Sequence, residues 1–92
     1  MKRKRKKAAW PKISVITPTL NSQRTLRSCL SSIVRQRYDG VIEIVIADGG
    51  SSDNTLQISR SYGARVISNP LKTGEAGKAV GAKFATGGIL AF

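Results

Sequence analysis

Ile44-Val45-Ile46-Ala47-Asp48-Gly49-Gly50-Ser51-Ser52-Asp53-Asn54-Thr55 is the stretch that sets the fold. An apolar run ends in a carboxylate, a glycine turn follows, and a second carboxylate stands where a helix would begin. A strand buried on both faces reads as a continuous apolar run, and Val41 to Ala47 is one, with Glu43 its only polar residue. The pattern places Asp48 at the strand's carboxyl end, where open α/β sheets keep their ligand crevice. Gly49-Gly50 supplies the turn and allows a ligand close to the backbone. Asp53 is expected to cap the following helix by accepting from first-turn amides. Asp48 thus reads as the ligand-facing carboxylate and Asp53 as the structural one, with a purely structural Asp turn at Asp48 the alternative.

Outward from that stretch, apolar runs alternate with helix-like segments. Ile13 to Thr17 reads as a first strand stopped by Pro18. Leu26, Cys29, Leu30, Ile33 and Val34 recur at helical spacing and predict one buried stripe on a helix over 23–37, capped by Asn21 or Ser22. The same stripe predicts that Cys29 is a buried, inert thiol. Asp39-Gly40 turns into the second strand. A helix over 54–62 follows, with Gly63 placed for the left-handed residue past its end. Arg65 to Ser68 is a short third strand ended by Asn69-Pro70. The segment 75–85 has helical character although Gly77 and Gly81 disfavour it, and Ile89 to Phe92 begins a fourth strand. The order β-α-β-α-β-α-β predicts an α/β, Rossmann-like fold with a mostly parallel sheet and right-handed crossovers.

Ninety-two residues, 40% of them hydrophobic, suffice for one small domain. The formal charge of +11 is uneven: Lys2 to Lys7 carries six of the sixteen basic residues, and without them ten basic residues face five acidic ones. The chain divides into a basic tail over 1–11 and a domain over 12–92. The tail reads as solvated charge, as an anionic-membrane tether with Trp10 at the interface, or as a nucleic-acid arm; no nucleic-acid partner is expected, because the body lacks an aromatic-rich basic face. There is no His and one Cys, which excludes Ser-His-Asp and Cys-His nucleophile systems and any thiolate zinc site within these residues. The single Cys agrees with a reducing, cytoplasmic setting, or one at the cytoplasmic face of a membrane. No apolar stretch approaches the ~18–20 residues of a membrane-spanning helix.

Thr17-Pro18-Thr19-Leu20-Asn21-Ser22 gathers small polar groups at the first strand's end. These either contact a ligand or make turn and cap hydrogen bonds. No Gly-x-Gly-x-x-Gly accompanies them, which argues against a hydride-transfer dinucleotide fold. Gly74-Glu75-Ala76-Gly77-Lys78-Ala79 does not form a phosphate loop, since Lys72 stands where its first Gly belongs and Ala79 where a magnesium-binding hydroxyl belongs. Lys78 can still meet a phosphate as a point charge.

From Lys12 to Phe92 the chain resembles the N-terminal, nucleotide-binding part of family 2 glycosyltransferases of the GT-A fold. The resemblance rests on Ser14 to Asn21, on Ile46 to Thr55, and on Gly74 to Gly81 followed by Ala85 to Phe92, in the family's order and spacing. It implies transfer of a sugar from a UDP- or GDP-linked donor to a hydroxyl acceptor. It implies that Thr17, Pro18 and Thr19 line the nucleotide pocket and that Asp48 hydrogen-bonds the base. Lys78 matches the family's later basic residue. The family's second Asp is Gly49 here, and the usual Asn is Ala79.

The resemblance also implies Mg²⁺ or Mn²⁺ held by an Asp-x-Asp motif directly after the strand ending at Phe92, neutralising charge on the leaving diphosphate. That motif and the acceptor's carboxylate base are not among these residues, and Glu75 is the only spare carboxylate near the pocket. The chain is therefore expected to be a fragment that stops before the motif, with no catalytic residue or metal ligand of its own, and inactive alone. A nucleotide-binding or interaction module without catalysis is the alternative, and a basic nucleic-acid-binding protein a more distant one.

Overall fold

The computed structural model describes Trp10–Phe92, so most of the expected basic tail, residues 1–9, lies outside the described residues. Trp10 and Pro11, counted with the tail in the sequence, are tied to the domain. The Trp10 ring meets Tyr38 edge-on at 6.0 Å, and the Tyr38 hydroxyl donates to the Pro11 carbonyl.

The elements follow the predicted order: β1 Ile13–Thr19, α1 Gln23–Val34, β2 Ile42–Asp48, α2 Thr55–Ser61, β3 Arg65–Ser68, α3 Gly74–Phe84 and β4 Ile89–Ala91. They form one parallel sheet ordered β3-β2-β1-β4. The chain builds outward from β1 through β2 to β3 and then returns across the sheet to β4, so strand order reverses beside β1. In such sheets the crevice outside the strand ends at this reversal takes the ligand.

The two sheet faces pack differently. On one, Ile44 and Ile46 of β2 meet Leu26 and Leu30 of α1 and Ile58 of α2, with Ile33, Tyr62, Ala64 and Val66 against them. On the other, α3 lies over Ile16 and Pro18 through Gly81 and Gly77. A Cβ at Gly77 would stand 2.7 Å from the Pro18 Cβ, and one at Gly81 would overlap the Ile16 side chain. The two glycines that weaken the helix locally are what allow its backbone to reach the sheet.

Several element ends differ from expectation, each for a physical reason. β1 continues through Pro18 to Thr19. β4 pairs only with Ile13–Val15, so Pro18 sits where β1 has an open edge and its missing N–H breaks no ladder on that side. α1 stops at Val34 rather than 37, because past Ile33 the exposed Arg35, Gln36 and Arg37 have nothing to bury. Cys29 is exposed, not buried; it flanks the stripe, which narrows to Leu26, Leu30 and Ile33. α2 ends at Ser61, and Gly63 follows its end in the expected left-handed conformation, with φ of +76°. The Gly63 amide and that of Ala64 donate to the carbonyls of Arg60 and Ser59, the paired bonds of a left-handed helix stop.

Glu43, the lone polar residue of the β2 run, anchors the sheet's amino end. It accepts from the Ser14 hydroxyl at 2.7 Å, the Thr86 amide at 3.1 Å and the Arg65 guanidinium at 3.1 Å. Burial alone would raise its carboxyl, but the Ser14 and Thr86 donors, with Lys12 and Arg65 nearby, hold it below the ordinary value.

Candidate functional site

The carboxyl ends of β1 and β2 meet in register at Thr19 and Asp48. The Thr19 hydroxyl donates to Asp48 Oδ1 at 2.7 Å, and the Ser51 hydroxyl donates to the same oxygen at 2.6 Å. Asp48 Oδ2 accepts from the amides of Gly50 at 2.9 Å and Ser51 at 2.8 Å. A carboxylate has about four lone-pair positions, and here four protein donors address them. Asp48 is 6% exposed; burial pushes its carboxyl up, but the Ser51, Thr19 and Gly50 donors outweigh that and leave it below its ordinary value. The amides can converge only because the chain folds back on Asp48, which requires φ of +104° at Gly50.

The two loops after β1 and β2 are knitted to each other. The Asn21 carboxamide oxygen accepts from the Ser52 amide at 2.8 Å, and the Asn21 amide donates to Ser51 Oγ at 2.8 Å. Asp53 Oδ1 accepts from the Thr55 amide at 2.9 Å, while its Oδ2 accepts from the Gln23 amide at 3.1 Å. One carboxylate thereby serves the first residues of both α1 and α2. The Thr55 hydroxyl donates to Asp53, and this bond leads the donors that hold the Asp53 carboxyl below its ordinary value. Asp53 thus bonds the first amide of α2 but is not its cap residue as expected: it sits two residues before the helix, and Asn54 occupies the cap position without a side-chain bond. Ser22 is likewise in the cap position of α1 without a cap bond; its hydroxyl instead accepts from the Leu20 amide.

Beside Asp48 a shallow depression of about 260 Å³ opens between the ends of β2 and β3, lined by Asp48, Gly49, Gly50, Leu56, Val66 and the segment 67–70. Asn69, which the sequence marked only as a strand terminator, is a wall of it. Its amide donates to the Asp48 carbonyl at 2.8 Å, and its side-chain Nδ2 donates to the Thr73 carbonyl at 3.0 Å. Its Oδ1 is buried with no partner among the described residues. The signal for it was an amide residue, rather than Gly, closing β3 beside the Asp48 strand.

The remaining predicted site residues do not converge on that depression. Thr17 pairs with Ile46, two residues back from the strand end, so Thr19 rather than Thr17 faces Asp48. Pro18 packs under α3 at Gly77. Lys78 is exposed one residue further along α3. Thr19 and Asp48 therefore form one cluster, and Pro18 with the Lys78 turn of α3 another, across the end of β1. Among the described residues no group of three or more Asp, Glu, His or Cys side chains is arranged to hold a metal ion.

The profile described as "Glycosyl transferase family 2" matches residues 14–92. The chain belongs to that family. It is 48% identical over 54 residues to a PGL/p-HBAD biosynthesis glycosyltransferase of Mycobacterium bovis, a stretch covering 59% of this chain and 21% of that protein. Over 54 residues it is 41% identical to the putative glycosyltransferase EpsE of Bacillus subtilis, covering 59% and 19%. Among solved structures it is similar to glucosyl-3-phosphoglycerate synthase of Mycobacterium tuberculosis. The complex with Mn²⁺, UDP and glucosyl-3-phosphoglycerate superposes with a TM-score of 0.66 at 34% identity, over 91% of this chain and 33% of that one. The complex with Mn²⁺ and UDP-glucose gives 0.65 at 34% identity, over 91% and 32%. The chain thus spans about a fifth of the length of the curated relatives and a third of the structural ones. The parallel α/β architecture is that of the GT-A glycosyltransferases, as the resemblance implied.

Proposed function

We propose that this chain is the donor-nucleotide part of a family 2 glycosyltransferase that moves a sugar from a nucleotide-linked donor, UDP-linked in the first instance, to a hydroxyl acceptor. The observation that carries the reading is the Thr19–Asp48 pair at adjacent parallel strand ends, beside an open depression at the carboxyl edge of the sheet. The UDP and UDP-glucose complexes of the mycobacterial synthase support the choice of nucleotide.

In this reading Asp48 accepts from an N–H of the base. Two of its four present donors are the Thr19 and Ser51 hydroxyls, which rotate without backbone movement and can release a lone pair to a ligand. The reading gives Thr19 the β1 side of the pocket with Thr17 and Pro18 behind it, and has Lys78 meet phosphate as a point charge from α3. Mn²⁺ accompanies UDP in the related synthase, and a divalent cation is proposed for the whole enzyme. The residues described here do not fit one: among them no three Asp, Glu, His or Cys side chains group together, and Glu75 stands alone and exposed. No step is derived through a metal.

Titration calorimetry with UDP and GDP tests the reading. UDP is expected to bind, and Asp48→Asn to weaken it by about 1–3 kcal/mol, the usual cost of losing a hydrogen bond to a charged group. Equal UDP affinity in the two proteins removes Asp48 from the site, and preference for GDP moves the donor assignment.

A further inference from the structure

We propose that the amino-end face of the sheet, opposite the Asp48 crevice, docks on an anionic lipid surface. The proposal stands independently of the nucleotide reading.

That face is built around Tyr38. The Trp10 ring, 47% exposed, meets it edge-on. The Tyr38 hydroxyl is held by the Pro11 carbonyl, and its ring lies so close over Gly40 that a Cβ there would stand 2.6 Å away. Val41 follows, exposed, its carbonyl accepting from the Ile13 amide at 2.9 Å. Val34, also exposed, shares with Tyr38, Ile33 and Ile42 the apolar side of a depression of about 550 Å³ whose polar side carries the Glu43–Arg65 pair, larger than the one beside Asp48. Trp10, Tyr38, Val34 and Val41 thus place apolar and aromatic side chains at a single end of the domain, before β1, at the end of α1 and before β2. Rings with a polar edge on an apolar body favour the boundary between acyl chains and headgroups.

The charge around this surface is of one dominant sign. Arg35 and Arg37 are exposed on the loop between Val34 and Tyr38, against the carboxylates of Asp39 and of Glu43, the latter already paired with Lys12 and Arg65. Among the described residues the ion pairs are those of Glu43 with Lys12 and Arg65, so neither loop arginine is neutralised by an acidic side chain. In the sequence, Lys2 to Lys7 joins Trp10 through only Ala8 and Ala9. Cations beside exposed aromatic and aliphatic side chains match a negatively charged headgroup layer, where attraction falls off within a Debye length. A polyanion in solution would satisfy the cations and leave Trp10, Val34 and Val41 without a role. The seven-residue strands β1 and β2 put roughly 20 Å between this face and the Asp48 end, so docking leaves the crevice open to solvent.

The 92-residue chain contains a single Trp, which makes the contact directly observable. The chain is mixed with vesicles of pure phosphatidylcholine and with vesicles of equal phosphatidylcholine and phosphatidylglycerol, and sedimentation and Trp10 emission are followed. Binding to the mixed vesicles alone, a blue shift of Trp10 emission, and loss of both as salt rises are expected. Arg35→Gln with Arg37→Gln should weaken partitioning about tenfold or more. Val41→Ser should weaken it several-fold while leaving the circular dichroism spectrum unchanged. Equal binding to uncharged vesicles, unshifted Trp10 emission in the bound protein, or unaltered partitioning of these variants would each overturn the proposal.

Discussion

Ile16 of β1 lies so close beneath Gly81 of α3 that a Cβ on that glycine would overlap the Ile16 Cγ2. Ile16 is fully buried and branched at Cβ, so it has no soft torsion with which to move aside. α3 can approach β1 this closely only through glycine, and Gly77 repeats the arrangement one turn earlier over Pro18.

Gly81→Ala sets two effects against each other. Alanine is the better helix former by about 1 kcal/mol, whereas forcing a methyl group into a filled core costs about 1–3 kcal/mol. The contact with Ile16 makes the second effect the larger, so urea denaturation should show net destabilisation. A gain in stability would mean that α3 does not sit on β1 in this way.

Acid should unfold the domain through its hydrogen-bonded carboxylates. Asp48 and Glu43 are both held below their ordinary values of 3.8 and 4.5. For such groups the unfolded chain binds protons first as pH falls, so their stabilisation is complete above those ordinary values and is lost as pH drops through the lower folded ones. Stability measured by denaturant titration should be flat from neutrality to about pH 5 and fall below it. Asp48→Asn should make the fall shallower; an identical pH profile in that variant would show that Asp48 does not carry the effect.

Cys29 stands on the solvent side of α1. A thiol-reactive dye should label the folded chain without denaturant, and Cys29→Ser should leave stability within about 0.5 kcal/mol, as for most surface substitutions. Labelling that waits for unfolding would place the thiol back in the core.

Much of the fold is legible in local pattern. The apolar run Val41–Ala47, the Leu26-Leu30-Ile33 stripe and the Gly63 stop each report a backbone state that depends on a few neighbouring residues, and every one of the seven elements lies within a few residues of its predicted place. The misses occur where a distant segment decides. Pro18 lies inside a strand because β4 is too short to reach it. Cys29 faces solvent because the sheet and α2 cover only the centre of the α1 stripe.

The site divides along the same line. That a carboxylate, Asp48, closes an apolar strand ahead of a glycine turn is readable from neighbouring residues, because strand burial and turn chemistry are both local. Which atoms meet that carboxylate is not readable there. The parallel register that sets Thr19 against Asp48 joins positions 29 residues apart, and Asn69 enters the same wall through β3. Thr19 rather than Thr17 becomes the partner, and one Asp53 carboxylate comes to serve two helix starts, through contacts that exist only in the folded chain. A one-residue shift in strand register would turn each side chain to the opposite face, and that register is set by packing of the whole core rather than by any stretch of chain alone.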